Sequence, residues 1–370
     1  MSGISGLLLC GNKEQVERAR QRVRPSIMSI ETTNLVENIN SFSVMDSYKD
    51  YCFVALDKEQ ADILMDCVSE HMVLHYYLFD NTSYDHPCQQ FFQSPPDHIT
   101  ELMFGMSHSE CGITDDYLVA RHCLKFSLPS LDLFLQFKSF QKICSQYGNC
   151  FSDVKDVVIE LPYYIFNYDL SRFGSFVLSK LNYFKYVGDY HHYGETPEQK
   201  GLIRQFELFI KLFTKEKVLG GKIVQQSIIL RSFYFVSFVA KTQWQAIKNE
   251  DKVWTKVHEE TIEENKTNWR LLINVVRKFC PQAKVKVMVM PFNPLFRWFH
   301  KSEILYMKGL FYDIMKMTPD IKVVDNFNMY CNMFLFEDHC HLNRRGAKKY
   351  TKSLKKMMIK NSNEHINRRK

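Results

Sequence analysis

Apolar runs with little internal alternation, such as Val157–Leu161 (VVIEL) and Val285–Met290 (VKVMVM), constrain this chain more than any other feature. A strand with one wet face alternates polar and apolar residues, whereas a near-continuous apolar run suits a strand covered on both faces. Where such runs alternate with helical stretches, a parallel sheet follows. The spacing predicts strands at Ile99–Phe104, Cys123–Leu128, Val154–Leu161, Val285–Met290 and Ile321–Val324. Helices are predicted between them over Thr114–His122, Leu131–Ser145, Val253–Phe279 and Glu303–Met317. The fold class is α/β. In such sheets reactive groups gather at the carboxyl ends of the strands, and those ends are where chemistry should be sought.

A smaller series opens the chain: a strand Gly6–Cys10, a charged helix Lys13–Arg22, a strand Ser26–Ile30, then Tyr51–Leu56, a helix Lys58–His71 behind Asp57 as N-cap, and Val73–Phe79. Residues 1–82 therefore read as a small Rossmann-like α/β domain. The turn after its first strand holds only Gly11, so the glycine fingerprint that cradles phosphates is absent, and a structural or partner-binding role is favoured over nucleotide binding. Residues 83–98, with Pro95 and Pro96, read as a linker to a second domain over 99–370. That domain carries an insertion at about 173–278, in which Leu202–Phe213 has helical apolar spacing and Ile228–Ala240 is rich in aromatics. The insertion reads as an added helical layer, or as a lid or acceptor-binding surface.

Charge narrows the partners. The net charge is +7, yet residues 344–370 contain eleven Lys or Arg against Glu364, so the remainder is slightly acidic. A nucleic-acid-coating protein is not expected from that distribution. Eleven cysteines show no C-x-x-C spacing, which argues against a zinc ribbon or a thioredoxin-like site and for free thiols in a reducing, cytoplasmic setting. No cofactor or metal is implied. Leu7–Cys10 reads as a buried strand rather than a signal peptide, and a membrane span over Ile223–Ala240 is interrupted by Gln225, Gln226 and Arg231.

Two short blocks carry chemistry-bearing residues. After the predicted strand Ile99–Phe104 stands Gly105-Met106-Ser107-His108-Ser109, where a glycine two positions before a serine lets the chain turn sharply and expose the hydroxyl. The G-x-S-x-G elbow is not met, because Ser109 fills its last position, and Gly3-Ile4-Ser5 repeats the short spacing without such a context. After the last predicted strand comes Asp338-His339-Cys340-His341-Leu342-Asn343. An aspartate three residues before a histidine can accept its Nδ1 proton and steady the imidazolium formed when Nε2 deprotonates a serine. Asp189 and His192 share the spacing but lie in a Tyr/Gly-rich loop of the insertion. The plainer readings are that Ser107 and Asp338 cap helices or turns. His108, Glu110 and His339 lack further ligand-spaced partners and read as substrate-contacting or solvated rather than as a metal site.

The two blocks in this order resemble the SGNH (GDSL-like) hydrolase superfamily, in which a G-x-S block follows the first strand and a D-x-x-H block lies between last strand and last helix. Gly105-Met106-Ser107 matches the first block and Asp338-His339-Cys340-His341 the last, followed by LNRRGAKKYTKSL, similar to the family's usual ending. The resemblance spans about 99–359 and implies a three-layer α/β/α domain with a five-stranded parallel sheet. It also implies Ser107 as nucleophile, His341 as base and Asp338 as its orienting acid. The family's middle blocks, a Gly after the second strand and G-x-N-D after the third, are replaced by Leu128-Pro129-Ser130 and by Pro162–Asp169. At those positions the resemblance implies Ser130 and Asn167 as the oxyanion donors, with Asn293 a weaker substitute. With a small α/β unit before such a domain, the chain resembles proteins of bacterial surface-polysaccharide loci, which implies an esterase or O-acyltransferase acting on an acylated glycan. A fold-retaining protein with a degraded oxyanion hole and a binding or assembly role is the alternative.

The basic end completes the reading. Ala347, Tyr350, Leu354 and Met357 recur at helical spacing and should pack on the sheet, with Arg344, Lys348, Lys352, Lys355 and Lys356 mostly on the outer face. The positive charge thus belongs chiefly to the solvated side of the helix that anchors His341, with contact to an anionic glycan or membrane surface as a secondary possibility.

Overall fold

The computed structural model describes residues 6–27, 29–35, 50–68, 73–79, 98–172, 177–213 and 252–367. The linker assigned to 83–98, apart from His98, and the aromatic run Ile228–Ala240 lie outside the described residues. The chain divides into two compact units, residues 1–86 with 171–223, and residues 87–170 with 224–370.

The first unit contains β1 (Gly6–Cys10), α1 (Lys13–Arg20), β2 (Ser29–Thr33), β3 (Tyr51–Ala55), α2 (Lys58–Cys67) and β4 (Val73–His75). All four strands are parallel, in the order β2-β1-β3-β4. The uninterrupted LLLC of β1 is explained by burial of every one of its residues at the centre of the sheet. Asn12 and Gln15 close a capping box on α1, and the Asp57 carboxylate accepts the Gln60 N–H at 2.9 Å to start α2. β2 begins three residues later than its apolar run suggests. It is an edge strand with mostly half-exposed or exposed side chains, so its own residues, SIETT, carry little burial signal.

The insertion divides. Its helix Pro197–Leu212 starts behind Thr196, whose side chain accepts the Gln199 N–H, and places Phe206 and Phe209 against Phe79 and Tyr76 of the first unit. Arg22 donates to the Tyr76 hydroxyl at 2.9 Å, and Arg24 donates to the Ile210 carbonyl at 2.8 Å through Nη2. Apolar spacing tells a helix to be buried but not against which sheet.

The second unit runs β5 (Glu101–Gly105), α3 (Ser107–Gly112), α4 (Asp115–Ala120), β6 (Cys123–Ser127), α5 (Leu133–Tyr147), β7 (Asp156–Glu160), α6 (Glu259–Phe279), β8 (Lys284–Val289), α7 (Pro294–Phe299), α8 (Lys301–Met315), β9 (Lys322–Asp325) and α9 (Arg344–Asn367). The five strands are parallel, in the order β6-β5-β7-β8-β9. Side chains alternate across the sheet. Phe104 meets Phe140 of α5 on one face, at 4.8 Å between rings, while Met103, Val158 and Met288 join Tyr350 and Leu354 of α9 on the other. The unit is therefore an α/β fold with helices on both faces of a parallel sheet, as expected.

Ala347, Tyr350 and Leu354 of α9 are buried, and Arg344, Lys348 and Lys352 are exposed. The side chains of Lys356 and Met357 lie outside the described residues. No helix among the described residues is long and apolar enough to cross a membrane, and ten described cysteines are free thiols.

Candidate active site

Ser107 stands just past the carboxyl end of β5, an interior strand of the five-stranded sheet. The turn that places it needs Gly105. A Cβ there would lie 2.7 Å from Glu160 Oε2 and 2.8 Å from Glu160 Cβ, and closer still to Ser109 Oγ. Glu160, fully buried at the end of neighbouring β7, accepts the Met106 N–H at 2.7 Å and so fixes the residue between strand and nucleophile candidate. Ser107 Oγ then lies 2.7 Å from His341 Nε2.

His341 is placed by the loop between β9 and α9. Asp338 Oδ1 accepts the backbone N–H groups of Cys340, at 2.8 Å, and His341, at 2.7 Å, an Asx-type turn that aims the side chain along its own loop. Its Oδ2 lies 2.6 Å from His341 Nδ1. A buried asparagine in the connection after β8 anchors the loop. Asn293 donates its backbone N–H to the His339 carbonyl and Nδ2 to the Asp338 carbonyl, each at 3.0 Å. Farther on, Gly346 opens α9 against the Leu335 carbonyl so closely that a Cβ would overlap it.

Burial opposes ionisation of Asp338. The hydrogen bond and charge of His341, with the Cys340 amide, outweigh it and hold the carboxyl below the ordinary range. Burial likewise opposes the imidazolium of His341, but Asp338 on its Nδ1, followed by Glu337 and Glu160, raises its affinity for a proton. His339 behaves oppositely: burial pushes it down to about 4, helped by the neighbouring His341, His108 and His300. The site thus holds one imidazole with raised proton affinity beside a histidine that stays uncharged near neutrality.

The remaining sequence candidates separate. Ser130 has a left-handed backbone, φ 62°, the conformation a glycine adopts freely, and its carbonyl accepts the Tyr168 hydroxyl at 3.2 Å. Among the described residues its N–H donates to nothing. Asn167 is committed elsewhere. Its Nδ2 donates to the Val253 carbonyl at 2.9 Å and the Lys256 carbonyl at 2.6 Å, and its Oδ1 accepts the His258 N–H at 2.8 Å. Both amide protons are used to hold the chain ahead of α6, which removes Asn167 as an oxyanion donor. Asn293 is likewise taken up by the loop it anchors.

His108 is neither solvated nor beside Glu110. It is buried, with Nδ1 3.1 Å from Glu160 Oε1, whereas Glu110 is exposed. In the second D-x-x-H block, His192 Nδ1 pairs with Glu195 at 3.1 Å, and Asp189 Oδ1 accepts the His191 N–H. His108, Cys340 and His341 offer potential ligand atoms within 4.8 Å of one another, as do Asp338, His339 and Cys340. Both ring nitrogens of His341 already have partners in Asp338 and Ser107, so an ion in the first group would have to displace one of them, and an ion in the second would compete with His341 for Asp338. Glu160 escaped the sequence reading. Its one signal is an acid directly after the buried apolar run VVI of the strand DVVIE.

Fold and site together define an α/β chain with a serine, a histidine and an aspartate in one line of hydrogen bonds at the carboxyl edge of a parallel sheet. No protein-family model matches the chain, and no curated protein matches it. Among solved structures it is similar to the crystal structure of the lipase Lip_vut3 from goat rumen metagenome, with 10% identity, a TM-score of 0.35, and coverage of 70% of this chain and 96% of that one.

Proposed function

We propose that the chain is a serine esterase or O-acyltransferase of the SGNH type, with Ser107 as nucleophile, His341 as general base and acid, and Asp338 as its orienting carboxylate. One observation carries the reading: His341 spans 2.7 Å to Ser107 Oγ and 2.6 Å to Asp338 Oδ2 with its two ring nitrogens. Those are the contacts that proton transfer from a serine hydroxyl requires.

Ser107 Oγ attacks the acyl carbonyl carbon as its proton passes to His341 Nε2. Asp338 stabilises the imidazolium through Nδ1. The tetrahedral oxyanion faces the amides of Ser107 and Ser130, and the positive φ of Ser130 supports a glycine-like role for its backbone. Collapse expels the alcohol, which takes the proton back from His341, and leaves Ser107 acylated. Water or an acceptor hydroxyl then attacks the acyl group by the same path in reverse. An acylated carbohydrate is the proposed substrate, because a small α/β unit ahead of an SGNH-like domain resembles the arrangement in proteins of surface-polysaccharide loci.

A fluorophosphonate probe tests the reading directly. Wild type should be labelled at Ser107, and Ser107→Ala and His341→Ala should not be. Folded wild type that resists the probe would overturn the enzymatic reading in favour of a binding or assembly role. With labelling in hand, release of acetate from acetylated sugars with and without an acceptor separates hydrolysis from transfer.

A further inference from the structure

The site contains a second carboxylate–imidazole pair that the mechanism above does not use. Glu160 is fully buried at the end of β7, and His108, one residue past Ser107, is buried beside it with Nδ1 3.1 Å from Glu160 Oε1. The His108 ring lies nearly parallel to that of His341, at 5.3 Å between centroids and 23° between planes. Phe292 covers His108 at 5.2 Å. Two imidazoles are therefore stacked, each with a carboxylate on its Nδ1.

Glu160 also reaches the nucleophile's turn. Its Oε2 accepts the Met106 N–H at 2.7 Å and lies 3.2 Å from Ser109 Oγ, itself 2.9 Å from Ser127 Oγ at the end of β6. One buried carboxylate thus ties the ends of three adjacent strands around the segment that carries Ser107. A buried carboxylate without partners is strongly unfavourable, so this set of donors shows a site built around the charge. A structural need alone would be met by an uncharged acceptor for Met106.

We propose that Glu160 is a positioning residue for the reaction, fixing the Ser107 turn through Met106 and, through His108, setting both the orientation and the charge environment of His341. It deepens the reading under Proposed function and rests on it for the role of Ser107. The groups that face His341 are Asp338, Glu337, His339 and Cys340 on its own loop, Ser107 and His108 on α3, and Glu160 on β7. Among them Glu160 is the anion that comes from the sheet rather than from the loop, and its charge favours the His341 imidazolium in addition to that of Asp338.

The test compares Glu160→Gln, which keeps shape and removes charge, with Glu160→Asp, which keeps charge. The readouts are the His341 titration by imidazole NMR and the pH dependence of fluorophosphonate labelling. The His341 midpoint is expected to fall by about half a pH unit or more in Glu160→Gln and to return toward wild type in Glu160→Asp. Labelling at neutral pH should slow about 10- to 100-fold in Glu160→Gln, with an unchanged melting profile showing that the fold survives. An unmoved His341 midpoint in folded Glu160→Gln overturns the inference. If that variant does not fold, His108→Phe, which keeps a ring but cuts the link from Glu160 to His341, decides: an unmoved His341 midpoint in the folded variant overturns the inference. The NMR readout needs no turnover, so absence of labelling in wild type would count against the proposed function while the titration still judges this inference.

Discussion

At His341 the two ring nitrogens have separate tasks, and the pH dependence of any activity follows from them. Nε2 must be unprotonated to take the Ser107 proton, while Asp338 on Nδ1 raises the ring's affinity for protons. Activity should therefore rise with pH through a midpoint above that of an ordinary histidine. Replacing Asp338 by Asn removes the charge that raises it, so the midpoint moves to lower pH and the limiting labelling rate falls by about 10²–10⁴. A pH series of fluorophosphonate labelling rates reads both. Ser130 offers a second check at this scale. Its φ of 62° suits glycine, so Ser130→Gly should be neutral or stabilising by up to about 1 kcal/mol, and Ser130→Val, β-branched, should destabilise by at least that much in urea unfolding. Neither aspect of the site is written in residue types. The D-x-x-H spacing occurs twice in this chain, and it became informative through its place between last strand and last helix.

Elements bring these residues into register. The loop carrying Asp338 and His341 follows β9, but what holds it is Asn293, after β8, through two backbone carbonyls and a cap on α7. Asn293→Ala keeps the backbone bond to His339 but leaves the Asp338 carbonyl without its side-chain donor and α7 without its cap. It should destabilise by about 1–3 kcal/mol in chemical unfolding and slow labelling of Ser107, because the loop then samples more orientations. Gly346→Ala puts a Cβ into the Leu335 carbonyl at the start of α9, and a comparable loss of stability is expected. The strands and most helices of both units were legible because burial on two faces and helical apolar spacing are local patterns. β2 was displaced because an edge strand has little burial to reveal. The helix expected over Thr114–His122 is α4, whereas the short α3 before it was not expected, since the turn at Ser107 is set by Glu160 on another strand.

The two units share an insertion in sequence, and this is where truncation should be most instructive. Helix Pro197–Leu212 buries Phe206, Phe209 and Leu212 within the unit that begins the chain. A chain starting at residue 83 would leave those side chains uncovered, each worth about 1.5–3 kcal/mol of burial, and should bind hydrophobic dyes and sediment as aggregate. A soluble, monomeric product would show that the helix finds its cover elsewhere. The α/β class and the two parallel series follow from runs, spacings and order along the chain, and the positions of Ser107 after β5 and of Asp338 and His341 before α9 were legible there as well. Which sheet the helix 197–212 covers, the commitment of Asn167 to the segment before α6, and the pairing of Glu160 with His108 were decided only in three dimensions. Each joins residues far apart in sequence, and a local pattern specifies that a group must be buried or bonded without specifying its partner.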